Sequence, residues 1–136
     1  TIAYKIVEVD VNYIDKYNIL QATLKGMFES ASAISQPFDL CLIDGNKVPD
    51  GLFCPSESII HGDALSASIA AASILAKVYR DKLMSNLDEF YPLYGFAKHK
   101  GYGTAQHLTA LKLYGPCSIH RKTFSPVSEM MESQIK

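Results

Sequence analysis

The sequence predicts an α/β fold, and three observations carry that reading. Val7, Val9 and Val11 alternate with Glu8 and Asp10, the period of two expected of a strand. Leu40-Cys41-Leu42-Ile43 is a short continuous apolar run closed by Asp44-Gly45, the pattern of a strand buried on both faces. From Ser66 to Phe90 the chain is rich in Ala, Ile and Leu and has neither glycine nor proline, so it predicts one long helix.

The remaining elements follow in order. Ile2–Val11 is the first predicted strand. Ile14, Tyr17, Leu20, Leu24, Met27, Phe28 and Ala31 recur at helical spacing, with Asn18 placed to cap within the run. After the 40–43 strand, Pro49, Gly51 and Pro55 mark a loop, and Ser58–His61 predicts a short strand. The long helix follows, with Ile69–Leu75 expected to be deeply buried. Pro92, Gly95, Gly101 and Gly103 define a loop, Thr104 caps a helix ending before Gly115-Pro116, and Ser125-Pro126 opens a last short helix with proline at its first position. No repeat, low-complexity segment or linker interrupts the 136 residues, so 1–136 is expected to be one domain, with 104–136 its C-terminal helical part.

Composition excludes several classes. At 48% hydrophobic and 20% charged the chain is too apolar for disorder, and its apolar runs are far short of a membrane span. Cys41, Cys54 and Cys117 are odd in number and form no CxxC pair, which argues for reduced thiols in a cytoplasmic protein rather than a disulfide framework or a zinc site. Cys41, in its apolar run, is expected to be a small core residue. The formal charge of −1 conceals a polarity. Residues 1–63 hold four lysines against nine acids, whereas Phe90–Ser128 contains no acid and carries Lys98, Lys100, Lys112, Arg121 and Lys122 with His99, His107 and His120. Tyr91, Tyr94, Phe96, Tyr102 and Phe124 lie among these cations. Interleaved cations and aromatics suit an anionic, stackable ligand such as nucleic acid; a solvated basic face is the plain alternative.

Two acids stand out by position. Asp44 directly follows the apolar strand, and Asp63 follows Ile59-Ile60-His61-Gly62 and precedes the long helix. In open α/β sheets, sites form just outside the carboxyl ends of strands. Two carboxylates there suit Mg²⁺ or Mn²⁺, the hard cations that phosphodiester chemistry uses in pairs about 3.5–4 Å apart. An Asp-Gly after a strand is also an ordinary turn. Asp81 is explained by an i,i+4 ion pair with Lys77. The histidines have no close ligand spacing, and His61 either approaches a phosphate or lies in a loop. Tyr94–Thr104 is more specific: its glycines let a sugar-phosphate chain approach, Lys98 and Lys100 neutralise phosphates, and Tyr102 stacks or meets a ribose 2′-hydroxyl.

Five blocks resemble a known family. LIDGN at 42–46, HGD at 61–63, SIAAASILAKVYRD at 68–81, YPLYGFAKHKGYGTAQH at 91–107 and HRKTFSPV at 120–127 are similar, in order and spacing, to bacterial ribonuclease HII. The resemblance implies an RNase H-like mixed sheet flanked by helices, with a C-terminal helical segment, and a monomeric enzyme. It implies metal-dependent cutting, with Mn²⁺ or Mg²⁺, of RNA in RNA·DNA hybrids and 5′ to a ribonucleotide embedded in duplex DNA, leaving 5′-phosphate and 3′-hydroxyl ends. Asp44 and Asp63 match two of the family's four metal-holding carboxylates, and Tyr102 matches the tyrosine that meets the sugar at the DNA–RNA junction. The family's Asp-Glu pair, in a segment that also grips the ribonucleotide, has no match here, so the chain is expected to lack the first strands and to be inactive alone. His61 stands where lysine is usual and Gly103 where proline is usual. A non-catalytic nucleic-acid-binding fragment is the competing expectation.

Overall fold

A computed structural model describes residues 3–133 of the chain. It divides into two compact units, Thr1–Ile74 and Leu75–Lys136.

In the first unit, α1 runs Val11–Ser32. Asp10 caps it by accepting the Asn12 N–H at 2.7 Å, satisfying a donor that the first helical turn leaves without a partner. Asn18 breaks it: at φ 75° it leaves helical geometry, and its Oδ1 accepts the Gln21 N–H at 3.1 Å to cap the second segment. The cap expected within the run is therefore real, and it sits at a kink. The strands β1 (Cys41–Asp44) and β2 (Ser56–Ile59) pair in parallel, Cys41 opposite Ser56 and Asp44 opposite Ile59. A short α2 (Gly62–Leu65) follows, and α3 (Ala67–Phe90) begins in this unit and ends in the next.

The second unit continues with α4 (Phe96–His99), α5 (Ala105–Tyr114) and α6 (Val127–Ser133). Its core gathers Met84, Tyr94, Phe96, Ala110, Leu111 and Val127, with Leu87, Tyr91, Ile119 and Met130 packed against them. Phe96, 2% exposed, is its centre, stacked on Tyr94 at 5.4 Å and 9°. Thr104 caps α5 through the His107 N–H, and the helix ends before Gly115-Pro116 as the sequence predicts.

The α/β reading holds, and several details change. Residues 3–10 form no strand, since an alternating segment needs a partner ladder and neither β1 nor β2 pairs with it; Ile2 lies outside the described residues. The sheet among the described residues is a parallel pair rather than a mixed sheet. With a single neighbouring strand, β1 buries Ile43 while Cys41 and Leu42 stay half-buried, so it is not covered on both faces. β2 begins and ends two residues earlier than expected. The Ile69–Leu75 stretch is not deeply buried throughout: Ile69, which packs against Gly62, is 5% exposed but Ile74 is 63%. The 92–103 loop contains α4, and Pro126 precedes the first turn of α6 rather than occupying it.

Candidate active site

The parallel register sets the two strands' carboxyl ends side by side. Gly45 N–H donates to the Ile59 carbonyl at 3.0 Å, so Asp44 stands at the edge where the ladder stops. Beyond Ile59 the chain turns through His61, at φ 57°, into α2. There the Gly62 N–H donates to Asp44 Oδ1 at 2.9 Å, and the next residue is Asp63, in the first turn of α2. Two carboxylates far apart in sequence are thus held a residue apart across one hydrogen bond, both exposed to solvent.

Glycine at 62 allows a close fit. A Cβ there would lie 2.6 Å from Ile69 Cδ1, 3.3 Å from Asp44 Oδ1 and 3.4 Å from Ile59 Cβ. The close approach that glycine permits here is an approach to Asp44 itself. His61 is exposed, and its carbonyl accepts the Ala64 N–H. Exposed carboxylate oxygens are suitable ligands for a hard divalent cation. Among the described residues no group of three or more His, Cys, Asp or Glu side chains is arranged to hold a metal. Asp81 pairs with Lys77 at 3.3 Å, as its spacing predicts.

The basic loop lies in the second unit and is built tightly. Gly95, Lys100 and Gly101 all take positive φ, and Arg80 Nη2 donates to the Lys100 carbonyl at 3.1 Å. The Lys98 side chain projects into solvent without a hydrogen bond or ion pair among the described residues, while its backbone N–H donates to the Gly95 carbonyl. Lys100 differs: its ammonium donates to Ser85 Oγ at 3.0 Å and to the Ala97 carbonyl at 2.7 Å, leaving one N–H for any phosphate. The Tyr102 ring is 67% exposed, while its main chain is fixed by the bonds His99 carbonyl to Tyr102 N–H (2.9 Å) and Tyr102 carbonyl to Thr104 N–H (2.8 Å).

The histidines are what the sequence did not reveal. His99, His107 and His120 are all buried and lie together around Phe96, His99 stacked on His107 at 4.4 Å and 12°. Burial, chiefly, holds His107 and His120 below the ordinary imidazole range; His99 lowers both further and His107 lowers His120, while backbone hydrogen bonds act the other way. Burial likewise raises the Cys117 thiol, whose Sγ is 3.1 Å from His120 Nδ1. Metal-ligand spacing was the wrong signal to seek; three histidines within an aromatic-rich, acid-free stretch was the available one.

Together these features define an α/β protein with carboxylates at parallel strand ends and a separate basic, aromatic loop, and comparison with known proteins makes that class specific. A family model described as Ribonuclease HII matches residues 1–127. The ribonuclease HII of Francisella tularensis subsp. mediasiatica (strain FSC147) is 50% identical over 129 residues, covering 95% of this chain and 68% of that protein. That of F. tularensis subsp. novicida (strain U112) is also 50% identical, covering 95% and 69%. The chain belongs to the ribonuclease HII family, and with it to the type II ribonucleases H, which are hydrolases of RNase H-like fold. No helix among the described residues is long and apolar enough to cross a membrane.

Proposed function

We propose that the chain serves a metal-dependent endoribonuclease that cuts RNA in RNA·DNA hybrids and 5′ to a ribonucleotide embedded in duplex DNA, leaving 5′-phosphate and 3′-hydroxyl ends. The observation that supports this reading is the Gly62 N–H to Asp44 Oδ1 hydrogen bond, which ties the end of β1 to the residue before Asp63. In this reading both aspartates hold Mn²⁺ or Mg²⁺. The bound ion supplies Lewis acidity at the scissile phosphodiester. Lys98 and the remaining donor of Lys100 take phosphates, His61 approaches the backbone next to Asp63, and Tyr102 meets the 2′-hydroxyl that separates RNA from DNA. Residues 1–136 form a single, incomplete RNase H-like domain of a cytoplasmic enzyme that is monomeric at full length.

Asp44 and Asp63 are two carboxylates where the family resemblance implies four. The 136-residue chain is therefore expected to cut a single-ribonucleotide duplex poorly in Mn²⁺, and to cut it well when the Asp-Glu-bearing segment of a relative is fused upstream. Asp44→Asn should abolish that restored cleavage. Efficient cutting by the chain alone would refute the four-carboxylate requirement. Salt-sensitive duplex binding with no cleavage by the fusion would replace the enzyme with a binding fragment.

A further inference from the structure

Tyr102 is flanked by Gly101, at φ 84°, and by Gly103, and such a segment has little conformational preference of its own. Its main chain is nevertheless bonded on both sides, and one of the partners is an imidazole: His107 Nδ1 lies 3.0 Å from the Tyr102 carbonyl. A carbonyl oxygen only accepts, so His107 Nδ1 carries the proton. In the neutral ring Nε2 is then a bare acceptor, and it lies 3.0 Å from His120 Nε2. His120 must donate there, which leaves its Nδ1 bare; that nitrogen accepts the Cys117 backbone N–H at 3.0 Å. Each contact fixes the next, and one arrangement satisfies the whole chain from Cys117 to Tyr102.

We propose that His107, oriented by His120, is a positioning residue that holds the Tyr102 main chain, and that it does so only as the neutral Nδ1–H tautomer. The groups facing the pair fit that state. His99 stacks on His107 and has its own tautomer fixed, donating from Nε2 to the Tyr94 carbonyl at 2.7 Å and accepting the Gly101 N–H at Nδ1. Cys117 meets His120 at Nδ1, the Tyr94 ring lies 5.0 Å from His120, and the Phe96 ring lies 5.6 Å from each of the pair. A proton added to His107 Nε2 would face the His120 N–H, and one added to His120 Nδ1 would face the Cys117 N–H. The lowered proton affinities of both rings agree with this geometry. His107 and His120 thus supply what a glycine at 103 does not, a constraint on the backbone that carries the exposed tyrosine.

The functional consequence rests on Tyr102 reading the 2′-hydroxyl, so the test separates the two ideas. Long-range imidazole ¹H–¹⁵N correlation spectra of the 136-residue chain at neutral pH should show His107 protonated at Nδ1 and His99 and His120 at Nε2. His107 protonated at Nε2, or charged, overturns the proposal without any variant. His107→Asn keeps a donor near the Nδ1 position, whereas His107→Leu removes it. The leucine variant should shift the Gly101–Thr104 amide resonances and lower, roughly two- to tenfold, the binding preference for a single-ribonucleotide duplex over an all-DNA duplex, as loss of one hydrogen bond allows. The asparagine variant should largely restore both. Unchanged amides and preference in His107→Leu also overturn positioning. If Tyr102→Phe leaves the preference intact while the tautomers and amide shifts are as expected, positioning stands and the 2′-hydroxyl reading falls.

Discussion

The sharpest stability test concerns Gly62, and its magnitude can be worked from the packing around one hydrogen. Replacing that hydrogen by a methyl group puts carbon 2.6 Å from Ile69 Cδ1, well inside van der Waals contact. Overpacking of this kind costs about 1–3 kcal/mol, and the reduced freedom of alanine in the unfolded chain returns about 0.4–1 kcal/mol. Gly62→Ala should therefore destabilise by about 0–2.6 kcal/mol, with a mid-range of about 1.3 kcal/mol. Ile69→Val alone should cost about 0.5–1.5 kcal/mol, as deletion of one buried methyl does. The atom it deletes is Cδ1, the one in conflict. The double variant should accordingly be little less stable than Ile69→Val, with a coupling of about 1 kcal/mol between the two sites. Urea unfolding of the four proteins measures this directly, at constant m-value. Strict additivity would refute the reasoning, because it would mean that the α2 turn does not press Gly62 against Ile69 as it brings the Gly62 N–H to Asp44.

Two further outcomes are expected. The depressed proton affinities of His107 and His120 make stability fall on acidification: above pH 6.5 neither state binds a proton at these rings, and below it the unfolded chain takes up protons that the folded chain resists. The slope should reach at most about 1.4 kcal/mol per pH unit for each ring and level off below the folded values; urea midpoints between pH 7.5 and 5.5 test it, and a flat profile contradicts buried neutral imidazoles. Phe96→Ala, at the centre of the second unit's core, should cost about 3–5 kcal/mol, read as a large loss of urea midpoint; a loss under 1 kcal/mol would mean that the ring is not the packing centre it occupies here.

Legibility from sequence followed the range of the interactions involved. Caps depend on neighbours two to four residues away, and Asn18 and Thr104 were both readable. The same holds for the Lys77–Asp81 pair and for the end of α5 at Gly115. Strands depend on partners, and there local pattern misleads. The Val7–Val9–Val11 alternation has the period of a strand, yet no strand among the described residues pairs with it, and the chain enters α1 at Val11 instead. Burial also depends on distant partners: Ile74 and Ile69 look alike in sequence, but Ile69 packs against Gly62 and is 5% exposed, whereas Ile74 is 63% exposed.

The candidate site divides along the same line. Asp44 and Asp63 stand out in the sequence because each follows a local apolar run, but the bond from the Gly62 N–H to Asp44 is made by a backbone group and has no signature in either motif. The histidine network is harder still, since its meaning lies in which nitrogen bears each proton. That is decided by the Tyr102 carbonyl at one end and the Cys117 N–H at the other, fifteen residues apart in the chain. An imidazole can donate and accept at once, so it can pass a geometric constraint from one backbone group to another without a charge. A lysine or arginine in the same place would only donate, and an acid-free stretch offers no carboxylate to balance it. Buried histidines between the exposed cations and the core are thus the residues whose chemistry suits fixing a glycine-flanked tyrosine in a basic loop while leaving the loop's positive charge available to phosphate.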